Sequence, residues 1–136
     1  MPAGQGFEEV EHTADWALKV WAPNHAELFH LAAVGMNTLA EVRLAPEPRV
    51  EEHLELSAID IESLLVAFLT EIVLFGEEQN LGFDRFEVSI EGFSLQADLF
   101  GAPIASRKKE IKAVTYHNLA IQRTDTGVQV VIVFDV

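Results

Sequence analysis

Val128-Gln129-Val130-Val131-Ile132-Val133-Phe134-Asp135-Val136 is the stretch that decides the fold. From Val130 to Phe134 every residue is apolar, and all but the last are β-branched. Such a short run reads as a strand, and one that is apolar at every position belongs in the middle of a sheet, covered on both faces. A central strand delivers its end to a fixed place. Here that end carries the Asp135 carboxylate and, with Val136 written last, a main-chain carboxylate beside it.

Outward from this strand, Asp125-Thr126-Gly127 is a turn, and residues 113–116 and 119–123 read as strands before it. Further upstream, Phe86, Val88 and Ile90 alternate with polar residues, Glu91-Gly92 marks a tight turn, and Leu95, Ala97 and Leu99 alternate again, giving a hairpin. Leu54 and Leu56 mark another strand. Near the start, residues 7–10 form a short strand, and Trp16, Leu18 and Val20 alternate with Ala17, Lys19 and Trp21.

Two helices interrupt the strands. Asn24 with Glu27 is an N-cap signal for a helix with apolar face Leu28, Leu31, Ala32, Met36 and Leu39, ending near Val42. Asp60 caps a second helix, residues 61–75, closed by Gly76. Its Leu64, Leu65, Val66, Phe68, Leu69, Ile72, Val73 and Leu74 occupy more than one face, so it is expected to be deeply buried. Two early helices followed by a run of strands predict an α+β fold, two helices packed on a largely antiparallel β-sheet, rather than a βαβ series. The expected unit is one compact domain over residues 1–136, because nothing repeats and Pro46-Glu47-Pro48 is only a loop.

The chain has no cysteine, so disulfides, thiolate-bound metal and a cysteine nucleophile are excluded. The beginning of the sequence lacks a basic region followed by an apolar run, and no uncharged apolar stretch reaches membrane-spanning length. The expectation is a soluble, cytoplasmic protein with no membrane partner. Formal net charge is −13, from 22 acidic and 9 basic residues, which disfavours nucleic acid unless basic residues cluster. Arg107, Lys108, Lys109 and Lys112 do cluster. They are either a solvated segment keeping a sheet edge soluble or a functional patch.

His12-Thr13-Ala14-Asp15 lies at a break between two strand-like runs, which makes Asp15 a candidate to join Asp135 and the Val136 carboxylate at a hard-cation site. An all-oxygen donor set suits calcium first, then magnesium or manganese, rather than zinc or copper. The ordinary alternative for Asp15 is a turn or cap residue. His12 and His117, each beside a turn, are candidates for a general base or a ligand orienter, or are histidines bonding backbone at strand ends. His25, His30 and His53 fall on polar faces and read as solvated. No nucleophile elbow, phosphate loop or dinucleotide fingerprint is present, so a self-sufficient enzyme has little support.

Glu11-His12-Thr13-Ala14-Asp15, Ala26-Glu27-Leu28-Phe29, Glu62-Ser63-Leu64-Leu65, Glu110-Ile111-Lys112-Ala113-Val114-Thr115-Tyr116-His117 and Phe134-Asp135-Val136 together resemble the archease family over essentially the whole chain. The resemblance implies a small α+β accessory protein that activates the GTP-dependent, RtcB-type RNA ligase of tRNA splicing and RNA repair. It would promote guanylylation of the ligase and multiple turnover. It implies a metal site at Asp15, Asp135 and Val136, and a functional lysine at Lys112. Two departures stand out. Trp16-Ala17 replaces a small aliphatic followed by glycine at the rim of the site, and Ala67-Phe68 replaces an Asp-Trp pair in the second helix. The competing functional readings are a metal-dependent phosphoesterase using the same carboxylates, and an RNA-binding modulator of tRNA modification whose partners are tRNA or a tRNA methyltransferase.

Overall fold

The computed structural model describes residues 4–10 and 16–136. In chain order the elements are β1 (Gly6–Val10), β2 (Trp16–Ala22), α1 (His25–Ala40), β3 (Arg43–Leu44), β4 (Val50–Ser57), α2 (Ile61–Gln79), β5 (Leu81–Glu91), β6 (Ser94–Ser106), β7 (Ala113–Val114), β8 (Gln122–Arg123) and β9 (Val128–Asp135). None of the described helices is long and apolar enough to cross a membrane.

The strands divide into two antiparallel sheets. In the first, β9 is paired with β2 along one edge and with β7 and β8 along the other, and β1 lies beyond β2. In the second, β6 is central, with β5 on one edge and β4 and β3 on the other. Both helices contribute to the single core: α1 meets β1, β2 and β9 of the first sheet and β5 of the second, while α2 meets β7 as well as β4, β5 and β6. Being covered from two sides explains why α2 is apolar on more than one face. Phe29 of α1 stacks on Phe68 of α2, with centroids 6.0 Å apart, and both rings are fully buried.

Local signals set most boundaries. Asn24 Oδ1 accepts the Glu27 N–H at 2.9 Å and Asp60 Oδ1 accepts the Ser63 N–H at 2.7 Å, so both helices start where the cap residues place them. Helix α1 stops at Ala40, two residues short of Val42, because Glu41 takes a left-handed conformation (φ 51°) and returns its N–H to Asn37 and Thr38. Helix α2 runs one turn past Gly76. That glycine is buried inside the helix, where a Cβ would stand 3.4 Å from Arg107 Nη1, and Asn80 closes the helix instead (φ 55°).

Three further expectations change. The strands expected at 113–116 and 119–123 shrink to two-residue bridges, β7 and β8. Between them Thr115 gives both its N–H and its hydroxyl to the Val133 carbonyl, a turn brings the Leu119 N–H to Tyr116 O, and Ile121 spends its N–H on Glu62 Oε2. Strand β3 has no distinct signal, being only two residues long. Strand β9 is central as expected, but it is not covered throughout. Val130, Ile132 and Phe134 are buried on the inner face, whereas Val131 on the outer face is 41% exposed.

The tightest backbone approach lies in the second sheet, where β5 shifts register between Phe83 and Arg85 opposite Gly101. A Cβ on Gly101 would overlap the Gly82 carbonyl oxygen, so alanine cannot enter without moving one strand off the other. Gly101→Ala is expected to lower unfolding free energy by at least about 2 kcal/mol, as for severe overpacking of a core. Urea denaturation checks this, and an unchanged midpoint would contradict the assigned register.

Candidate functional site

The end of β9 is built by its neighbours. Ala113 and Val114 pair with Asp135 and Phe134, and the Lys112 N–H donates to the Asp135 carbonyl at 2.8 Å. On the other edge β2 opens at Trp16, opposite Phe134. Lys112 and Asp135, distant in sequence, are therefore hydrogen-bonded neighbours at one strand end. Both are exposed, and neither side chain has a hydrogen-bond or ion-pair partner among the described residues. Val136 is half-buried and packs against the core.

Asp15 and His12 lie outside the described residues, and no group of three metal-ligating side chains converges among the described ones. The carboxylate donor present at the tip, Asp135, is a hard oxygen ligand left open, which fits a hard divalent cation. His117 stands on the tight turn after β7, its Nε2 3.3 Å from Asn118 Nδ2 and its N–H donated to Thr115 Oγ1.

The basic segment is not a uniform patch. Helix α1 has no basic residue in its last turn, and the segment supplies what is missing. The N–H groups of Lys108 and Lys109 both reach the Ala40 carbonyl, at 2.9 and 3.3 Å, and Lys108 Nζ sits 3.3 Å from Glu41. Arg107 lies 3.8 Å from Glu110, and Lys109 Nζ stands 5.2 Å from the centre of the Trp16 ring. Lys112 is left over. Sequence reasoning singled out these cations but missed their tethers, which depend on contacts with α1 and β2.

The two departures from the family pattern also find their places. Trp16, half-buried against the core opposite Phe134, carries Lys109 against its ring, while Ala17 is fully buried opposite Val133. Phe68 is a core residue packed on Phe29.

The fold and this strand-end arrangement define a small α+β protein with Lys112 and Asp135 exposed side by side where β7 meets β9. The model of the Archease protein family (MTH1598/TM1083) matches residues 7–136, and the chain belongs to that family. It is 32% identical to the protein archease of Pyrococcus abyssi over 130 residues, covering 89% of this chain and 91% of that one. It is 35% identical to the protein archease of Methanopyrus kandleri over 127 residues, covering 88% and 91%. The crystal structure of an archease, possible chaperone, from Thermotoga maritima superposes with a TM-score of 0.71 at 24% identity, over 95% of this chain and 96% of that one. The solution structure of Methanobacterium thermoautotrophicum protein 1598 gives 0.70 at 23% identity, over 96% and 99%. These last two likenesses establish the fold.

Among the described residues, the titratable groups displaced from their ordinary ranges lie elsewhere, in structural pairs and at a helix cap. Asp60 is lowered by the Ser63 N–H and hydroxyl at the α2 cap, and Asp84 is lowered by its two-pronged bond to Arg49. His53 was expected to be merely solvated. It is exposed, but Nδ1 lies 2.7 Å from Asp98 and Nε2 3.2 Å from Glu55, which raise its pKa, Asp98 most. His30 also differs from a solvated residue, being half-buried between Glu27 and the edge of Phe86. A folded pKa above the ordinary 6.5 means that His53 contributes stability below about pH 6.5, lost as pH rises through the raised value. Two results are expected. The imidazole of His53 should titrate above 6.5 by NMR, and the stability gap between wild type and His53→Gln should be wider at pH 6 than at pH 9. A gap that widens with pH would contradict the pairing.

Proposed function

We propose that this chain is a cytoplasmic accessory protein that activates the GTP-dependent RtcB-type RNA ligase of tRNA splicing and RNA repair, promoting its guanylylation and multiple turnover. In this reading it is not an enzyme in its own right. Family membership supports the assignment, and one observation carries its site: the 2.8 Å bond from the Lys112 N–H to the Asp135 carbonyl, which brings together at one strand end two exposed residues of opposite charge whose side chains are unpartnered among the described residues.

The proposed metal ligands are Asp15, joined to Trp16 by one peptide bond, Asp135, and the main-chain carboxylate of Val136 where that residue ends the chain. Calcium is the proposed ion, with magnesium or manganese as substitutes, since all donors are hard oxygens. When bound, such an ion supplies positive charge that stabilises phosphate oxygens in a partner's site. The residues of this chain orient that tip. Strand pairing holds Asp135, and Lys112 offers a compact, hydrated point charge to a nucleotide phosphate or an acidic ligase residue. The RNA-modulator reading is less favoured, because Arg107, Lys108 and Lys109 are tethered within the fold.

Asp135→Ala is expected to abolish divalent-cation binding in calorimetry; unchanged calcium or magnesium affinity would remove this residue from the site. Lys112→Ala is expected to leave stability within about 0.5 kcal/mol of wild type, as for a surface substitution away from packing, while ligase guanylylation is no longer stimulated. Lost stability with stimulation per folded molecule intact would make Lys112 structural.

A further inference from the structure

At the open end of the second sheet the loop between β4 and α2 meets the β5–β6 turn. The Ala58 N–H donates to the Phe93 carbonyl at 3.1 Å, and the hydroxyls of Ser57 and Ser94 are 3.1 Å apart. This junction raises two apolar side chains into solvent: Ile59 is 87% exposed and Phe93 51%.

Neither local structure nor the core requires them. Gly92 (φ 61°) and Phe93 form the two-residue connection from Glu91 to Ser94; the glycine meets the turn's one demand for a positive φ, and nothing at the second position calls for a phenylalanine. Ala58 and Ile61, on either side of Ile59, pack on the core, whereas Ile59 does not. A phenylalanine displayed on a turn beside an exposed isoleucine, with neither side chain needed by the turn or the core, has the character of an interface anchor.

The surrounding charge narrows the partner. The charged residues nearest the two anchors in the chain are acidic: Asp60 follows Ile59, and Glu91 stands two residues before Phe93 at the start of the turn. A second copy docked face to face would set acid against acid. The complementary partner has an apolar socket with a basic rim, and a protein that handles RNA carries basic surface to meet phosphates.

We propose that Ile59 and Phe93 form a docking knob, separate from the Lys112–Asp135 tip, that inserts into a basic-rimmed apolar socket on the RNA ligase. The identity of the partner rests on the proposed function above. The knob supplies affinity and the tip supplies stimulation.

The experiment measures direct binding of the purified ligase and, separately, stimulation of guanylylation, for wild type, Ile59→Ser, Phe93→Asn and the double variant. Phe93→Asn places a favoured turn residue, so folding is kept, and unchanged melting curves verify this for each variant. The double variant is expected to bind about tenfold or more weakly, the loss associated with hot-spot anchors, yet to reach wild-type stimulation at saturation. Raised salt should weaken wild-type binding. Unchanged affinity in the double variant overturns the knob. Binding by wild type without any stimulation overturns the functional reading and leaves the knob to be decided by the affinities. No binding by wild type overturns both.

Discussion

Pairing of β9 on both of its edges is the constraint on which the site depends. Strand β2 fixes one edge over seven residue pairs, while β7 and β8 hold the two ends of the other. Val130, Ile132 and Phe134 point to the helices and are buried, so a slip by one residue would drive Gln129, Val131 and Asp135 into the core. The cost of burying an unpaired carboxylate makes that slip prohibitive. Asp135 is thereby held at the sheet's end by the same burial that holds the core together.

The segment from Lys108 to Lys112 links two ends of the molecule. At its start, two N–H groups satisfy the Ala40 carbonyl at the C-terminus of α1, where an exposed carbonyl and the helix dipole both favour positive charge. At its finish, the Lys112 N–H satisfies the Asp135 carbonyl. Ile111, buried between these anchors, prevents the strap from lifting. Charge that in sequence looked like one basic patch is divided by this arrangement. Lys108 is spent on the helix end, Lys109 on Trp16 and Arg107 on Glu110, and Lys112 remains exposed beside a carboxylate-bearing strand end.

What was legible in the sequence was local. Asn24 and Asp60 announce their helices because a cap is satisfied within three residues, and Val130 to Phe134 announces a central strand because β-branched apolar runs have few other fates. Less legible was anything set by distant partners. Gly76 reads as a helix stop until Arg107 and Ile104 are seen to fill the space beside it. Residues 113–116 and 119–123 read as strands, but the Leu119 and Ile121 donors go to Tyr116 and Glu62, and regular pairing shrinks to two residues in each. The division into two sheets, and the bonds that bind His53 to Asp98 across β4 and β6, leave no trace in spacing. Of the site, the residue types at Lys112 and Asp135 were readable from resemblance, and their adjacency only from the strand pairing.

The central claim is that Lys112 and Asp135 act as one unit on a partner's reaction. A double-mutant cycle on ligase guanylylation, with Lys112→Ala, Asp135→Asn and both together, tests it most directly. The account predicts strong non-additivity, the double variant being scarcely worse than the more damaging single one, as for groups that work as a unit. Losses that simply add, at unchanged protein stability, would mean that the two residues share a strand end but not a function.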